Sequence, residues 1–342
     1  MNDELLAHLR ERGIAFAGVT TVAPFRVGPE ATVVDPRQIM PGARSLVVTG
    51  FHTYTGETPQ PSSPGVPRGR FGPWTRLSMP AIEYQAEVLS GFFRERGHEA
   101  LTGSDVPAKP AAVRAGWGLY GKNSLVHAPG AGSYLKIQTC LTDAALDAVE
   151  EPVERSDCGD CRACIEACPT GALDEPFRVD RARCICGFLW GRPAPRELRP
   201  AIGSHIHRCS YCIEACPLNQ VLPARDSLPF ELDGPTSSPE LIPLLNASDE
   251  ELRTALPRFV MQAGADTIRR NVAMALGNSG DPAAVPPLAE ALRGATTPVR
   301  AHAAWALDRL GGAEARAALQ SALATEGEPE VLEELRWALG EQ

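Results

Sequence analysis

Apolar and polar positions along the first 150 residues alternate in two periods. Residues 4–12 (ELLAHLRER) space their apolar side chains along one face of a short helix, and Gly18–Val22 follows as a strand. Ser45–Gly50 is a continuous apolar run of strand length. Residues 55–73 (TGETPQPSSPGVPRGRFGP) are too rich in Pro, Gly and Ser for any core, and a loop of that length has a job or is disordered. Helical spacing returns from Pro80 to Arg96, with Gly97 as its stop. Residues 114–126 (RAGWGLYGKNSLV) place three glycines and a Lys-Asn-Ser before a strand-like tail, a composition that lets backbone approach a ligand closely. The stretch is neither a Walker loop nor a dinucleotide fingerprint, and a structural turn explains it as well as a binding loop.

The last hundred residues change character. Ala273-Met274-Ala275-Leu276-Gly277 returns as Ala304-Trp305-Ala306-Leu307, with Arg269 and Arg270 matched by Arg300 and a weaker copy at Trp337-Ala338-Leu339. An alanine-rich helical period of this kind predicts a HEAT-type array that buries its core by stacking neighbouring repeats. Such arrays are either pure scaffold or a concave surface for a macromolecule.

Nine of the ten cysteines fall between residues 158 and 216. Cys158-x2-Cys161-x2-Cys164-x3-Cys168-Pro169 is the bacterial ferredoxin run, whose fourth cysteine serves the other cluster of a pair. Cys209-x2-Cys212-x3-Cys216-Pro217 repeats its tail, CRACIEACP returning as CSYCIEACP, so the segment is an internal duplication. Ile206 stands where the first copy has Cys158, which leaves the second cluster one thiolate short in its own run; Cys184 or Cys186 must supply it. Cross-pairing then puts one cluster on Cys158, Cys161, Cys164 and Cys216, and the other on Cys168, Cys209, Cys212 and one of Cys184 and Cys186. Zinc would ask for two separated C-x2-C pairs per tetrahedral site, which this spacing fits poorly. Disulfides would need an oxidising compartment, and MNDELLAHLRERG does not open as a signal peptide. Cys140 reads as a buried apolar residue. Two close clusters form an electron relay, with potentials anywhere from roughly −700 to +450 mV.

A length of 342 residues exceeds one hydrophobic core, and no run of eighteen apolar residues occurs, so a cytoplasmic, non-membrane protein of two or three domains is expected. The net charge of −9 argues against a general nucleic-acid binder. Locally, Arg181, Arg183, Arg192, Arg196, Arg199 and Arg208 face a single acid, Glu197, with His205 and His207 beside them. This segment either holds phosphates or is a solvated loop that offsets cluster charge.

The combination resembles the epoxyqueuosine reductase family. The resemblance is carried by the cluster pair after an α/β region, by RAGWGLYGKNSL, by Arg183-Cys184-Ile185, by Arg270 to Asn278 (RNVAMALGN) and by Pro41-Gly42-Ala43-Arg44-Ser45, and it spans nearly the whole chain. It implies an α/β cobalamin- and substrate-binding domain at 1–150, a ferredoxin-type domain with two [4Fe-4S] clusters at 151–235 and HEAT-like repeats at 236–342. It also implies cobalamin (B12) held between the first two, electrons passing through the clusters to it, and reductive removal of the epoxide oxygen from a modified base in the tRNA anticodon loop. A monomer supplied by reduced flavodoxin or ferredoxin is expected. By motif match Gly121, Lys122, Asn123 and Ser124, with Gly132 and Ser133, would line the cobalamin site, Cys184 would be the eighth cluster ligand, and Asp105 in Ser104-Asp105-Val106-Pro107 would be the proton donor to the departing oxygen. The alternative for Asp105 is a turn residue.

Two segments depart from the family. Trp74-Thr75-Arg76-Leu77-Ser78-Met79-Pro80 stands where the family carries an aromatic-Gly-Arg-Asp-Tyr-His stretch, and the acidic residue usual before Leu-Thr-Asp is missing from Gln138-Thr139-Cys140-Leu141-Thr142-Asp143. Two other functions are therefore weighed beside tRNA modification. One is a corrinoid iron–sulfur reductase of a small organic molecule, akin to reductive dehalogenases. The other is an electron-transfer ferredoxin fused to a protein-binding repeat array.

Overall fold

The structure, a computed structural model, describes residues 1–28, 32–149 and 158–341. The expected boundary at 150/151 lies outside the described residues.

The first unit is a four-stranded sheet in the order Phe16–Thr20, Ser45–His52, Leu135–Thr142, Ala100–Thr102. Every pairing in it is antiparallel, so the expected α/β unit is a helix-covered sheet without parallel crossovers. The first strand begins at Phe16, ahead of the Gly18 expected from the apolar run. Alternation along the central strand sends side chains to opposite faces. Val47 and Phe51 join Leu5, Leu9, Leu89, Phe92 and Phe93 beneath the helices Asn2–Glu11 and Ser78–Arg94. Leu46 and Val48 join Ala111, Ala112 and Val126 beneath the helix Ala108–Arg114. Phe92 and Phe93 are fully buried, each contributing about 1.5–3 kcal/mol relative to exposure. Cys140 is buried in the same layer, where desolvation pushes its thiol up to about 12, as befits an apolar filler.

The Pro-rich loop does have a job: it straps the first unit to the rest of the chain. Gly69 N–H donates to Pro239 O at 2.9 Å, Arg68 pairs with Glu240 at 2.9 Å, and Arg70–Phe71 runs parallel to His205–His207.

Helices Ala265–Ser279, Val285–Gly294, Thr297–Leu310, Gly312–Leu323 and Pro329–Leu339 form the stacked array that the alanine period predicts. Gly277 lets two of them approach closely, since a Cβ there would lie 2.8 Å from both Cα and Cβ of Ala306. The array does not stand apart from the cysteine segment. One core runs from Phe71, Ile185, Phe188, Leu189, Ile202 and Ile206 into the repeats as far as Leu335. Polar side chains of the RNVAMALGN stretch fasten the join. Asn271, fully buried, donates to Leu189 O at 2.9 Å and Ile206 O at 3.0 Å, and Asn278 donates to Arg199 O and Gly203 O.

Candidate functional site

The duplicated cysteine runs fold as two short turns of helix, Ala163–Glu166 and Tyr211–Glu214, packed against each other. Each Cys-Pro follows its turn, and Pro217 opens a further short helix, Pro217–Gln220. The thiols fall into two adjacent sets. Cys164 lies within electrostatic reach of Cys158, Cys216 and Cys161. Cys209 lies within reach of Cys212, Cys184 and Cys168, and Cys212 feels Cys164 of the other set as well. These are the sets that cross-pairing of the runs produces.

Burial is the main force on these groups. It pushes Cys209 and Cys212 up to about 12, and neighbouring sulfurs add to the rise. A bare set of thiolates is unstable in such a place, whereas coordinated iron deprotonates its thiols outright, so the donor chemistry fits a cluster. Cys186 is the ninth sulfur here. Its Sγ accepts from the Cys184 thiol and, at 3.3 Å, from the Cys209 N–H, so Cys184 is raised and Cys186 lowered.

The glycine-rich stretch folds as a hairpin, Leu119–Tyr120 against Val126–His127, with Gly121 to Ser124 as its turn. This turn reaches both cysteine runs. Lys122 Nζ donates to Gly159 O at 2.6 Å and Cys161 O at 2.9 Å, and Asn123 donates to Cys212 O at 3.4 Å. Gly121 has no room for a side chain, because a Cβ would lie 2.4 Å from His127 Nε2. Gly132 and Ser133 meet the second run: Asn219 donates to Ser133 Oγ, and its own Oδ1 accepts from the Ser133 N–H at 2.8 Å. Most of the expected cobalamin residues therefore already serve the join between sheet and cysteine segment. Ser124 keeps unused capacity. Its backbone is left-handed at φ 58° and its Oγ is buried without a partner, as is Ser104 Oγ. Orphaned hydroxyls and close-set backbone fit a ligand as rich in amides as a corrinoid.

Asp105 sits exposed on a bend before the helix Ala108–Arg114, with no hydrogen-bond or ion-pair partner among the described residues.

The basic segment is more internal than its composition suggests. Arg199 and Glu334 form a buried pair at 2.8 Å, and Arg196 pairs with Glu334 at 3.0 Å, fixing the segment to the last helix. His205 and His207 are both buried, not solvated, and desolvation lowers them to about 4 and about 3. His205 is held between Ile202 O and Ser210 Oγ, each at 3.0 Å.

One group escaped the sequence. Lys136 Nζ stands 4.7 Å from the centre of the Phe259 ring, and the Arg208 guanidinium lies 5.2 Å from the same ring and 4.7 Å from that of Trp190. Burial, and then the Arg208 charge, bring the Lys136 amine down to about 8. Neither cation has an acidic partner among the described residues. Lys136 could have been noticed as the one charge inside an eight-residue strand, but nothing adjacent in sequence points to Phe259.

Comparison with known proteins agrees with this arrangement. Residues 157–219 match a 4Fe-4S double cluster binding domain and residues 260–340 match HEAT repeats. The epoxyqueuosine reductase of Bacillus subtilis strain 168 is 30% identical over 313 residues, covering 87% of this chain and 79% of that protein. The Escherichia coli K12 enzyme is 36% identical over 203 residues, 58% of this chain and 53% of its own. A solved structure of the B. subtilis enzyme with its aspartate-bearing catalytic loop swung out of the active site superposes with a TM-score of 0.87 at 26% identity, covering 99% of this chain and 98% of that one. A structure of epoxyqueuosine reductase with an epoxyqueuosine-modified tRNA stem loop superposes equally well, at the same identity and coverage.

Proposed function

The chain belongs to the epoxyqueuosine reductase family, and from that we infer that it reduces the epoxide of epoxyqueuosine in the tRNA anticodon loop to the alkene of queuosine. The observation that carries this is the pair of adjacent four-thiol sets under the GKNS hairpin, in a chain that follows its structural relatives nearly from end to end. The reaction consumes two electrons and two protons and releases the oxygen as water.

In this reading Cys158, Cys161, Cys164 and Cys216 hold one [4Fe-4S] cluster, and Cys168, Cys184, Cys209 and Cys212 hold the second. Cys212 of one set lies within electrostatic reach of Cys164 of the other, so the two clusters would be neighbours. A cobalamin bound against Gly121, Lys122, Asn123, Ser124, Gly132 and Ser133 would supply the low-potential nucleophile that opens the epoxide. Ser124 Oγ would answer its polar groups, while Lys122 keeps the hairpin seated on the first cysteine run. Asp105 delivers a proton to the departing oxygen. It stands on the surface in this state, so the turn Gly103–Pro107 must carry it inward to within reach of the departing oxygen. A relative crystallised with its catalytic aspartate loop swung out supports such a movement.

We take residues 1–150, 151–235 and 236–342 as the sheet, cluster and repeat units of one cytoplasmic monomer fed by reduced flavodoxin or ferredoxin. No helix among the described residues is long and apolar enough to cross a membrane.

The test is analysis of anaerobically isolated protein for iron and cobalt, together with its affinity for tRNA across a salt series. The reading expects about eight irons and bound corrinoid, with affinity falling steeply as salt rises. Iron without corrinoid and without RNA affinity would leave an electron carrier.

A further inference from the structure

We propose that Lys136 and Arg208 form an oxyanion subsite, floored by Phe259 and walled by Trp190 and His207, that grips the phosphodiester beside the target nucleotide. The proposal deepens the function proposed above and rests on it for the identity of the ligand, while its central observation is independent.

That observation is two cations on one aromatic ring, neither with a carboxylate beside it among the described residues, though Arg208 also lies within electrostatic reach of the Cys186 sulfur. Elsewhere in this chain arginines that turn inward find carboxylates or carbonyls: Arg199 meets Glu334, Arg300 meets Glu326, Arg76 meets Glu57, and Arg270 donates to the carbonyl of Arg192. Lys136 and Arg208 have none among the described residues, although each repels the other. Arg208 Nε is buried without a partner.

The backbone is also arranged at a cost to hold this charge. Arg208 has φ 57°, a left-handed conformation that costs a bulky side chain about 1 kcal/mol or more. Gly72 makes space for it, since a Cβ there would lie 2.7 Å from Arg208 Cβ, and Gly72 N–H ties the two segments by donating to His207 O at 3.0 Å. A glycine at 208 would be relaxed; an arginine is retained under strain beside a glycine that must be small. Strain of this kind concentrates where a side chain is needed for binding.

The walls suit a nucleic acid. Trp190 is 38% exposed, with His207 at 5.3 Å and Phe259 at 5.7 Å between ring centres, so flat apolar surface adjoins the two charges. Single-stranded loops are recognised by that combination of stacking surface and phosphate contact. The same two charges would equally take the carboxylate or phosphate of a small molecule.

The experiment uses the intact holoprotein, Lys136→Met, Arg208→Gly and Lys136→Arg, each with its iron content verified. Two probes are titrated: an epoxyqueuosine-bearing anticodon stem-loop followed by equilibrium binding, and inorganic phosphate followed by Trp190 fluorescence against a Trp190→Phe blank. The proposal expects Lys136→Met and Arg208→Gly each to weaken stem-loop binding about tenfold at low salt and to lower the log–log salt slope by about 0.7, with Lys136→Arg near native. Phosphate should quench Trp190 in the native protein and not in Lys136→Met. Quenching by phosphate without any stem-loop affinity would keep the subsite, assign it to a small anionic substrate and sink the tRNA function. Native affinity and slope in both variants would overturn the subsite, as would a shifted cluster potential in Arg208→Gly with binding untouched, which would make Arg208 a charge compensator.

Discussion

Replacing Asn271 by Ala should loosen the repeat array from the cysteine segment. The side chain is fully buried, and its amide is the donor to Leu189 O at 2.9 Å and Ile206 O at 3.0 Å, while its Oδ1 accepts from Arg270 Nη2 at 2.8 Å. Alanine leaves two carbonyls and two guanidinium donors, Arg270 Nε and Nη2, without this partner in a site that water does not reach. Each stranded group costs about 1–3 kcal/mol, and partial relaxation makes the total about 2–5 kcal/mol. Ile206 and Leu189 belong to the core that runs into the repeats, so the loss falls on the join and not on either side alone. Chemical denaturation of the anaerobic holoprotein, followed by far-ultraviolet circular dichroism and by visible cluster absorbance, should show both signals moving to lower denaturant together. A change below about 0.5 kcal/mol, typical of an exposed position, would refute the reasoning. So would a helical transition that shifts while the cluster signal stays in place.

Three further outcomes follow from single positions. Cys184→Ala should lower the iron count from about eight toward four while Cys186→Ala preserves it, and the reverse pattern on iron analysis would transfer the eighth ligand to Cys186. Gly277→Val should destabilise the array by about 1–3 kcal/mol through its clash with Ala306, read as a lower thermal midpoint; an unchanged midpoint would mean the helices separate freely. Stem-loop affinity should fall as pH rises through about 8, because Lys136, held below its ordinary range, is cationic under that value and neutral above it. His207, lowered to about 3, remains neutral throughout that window, so the step should vanish in Lys136→Met; a step that persists there would assign it elsewhere.

The iron–sulfur domain was legible because iron–sulfur ligation demands one residue type at short, fixed spacing. Cross-pairing is expected from one missing sulfur, and Ile206, the residue at that place, is fully buried with its carbonyl accepting from Asn271. The alanine period likewise announced the stacked helices, since close packing is what alanine and Gly277 permit. Strand direction was not legible: an apolar run such as Ser45–Gly50 carries no information about which way its neighbours point. Nor was the fate of the charged segment. Arg196 and Arg199 meet Glu333 and Glu334 from more than a hundred residues away, and His205 and His207 are buried by the strap of residues 70–71, contacts that local composition does not encode. Lys136 and Arg208 were hidden for the same reason, because what makes them notable is a shared ring on Phe259. The RNVAMALGN stretch was recognised as a family mark, but its physical role, seating the repeats on backbone carbonyls of the cysteine segment, needed the fold.

The most direct test is anaerobic incubation of the reconstituted protein, with cobalamin and a strong reductant, on epoxyqueuosine-containing tRNA, followed by mass spectrometry of the nucleosides. The account predicts conversion to a nucleoside lighter by one oxygen, dependent on Cys158 and on Asp105. Intact epoxyqueuosine after incubation with protein that holds both clusters and corrinoid would contradict it.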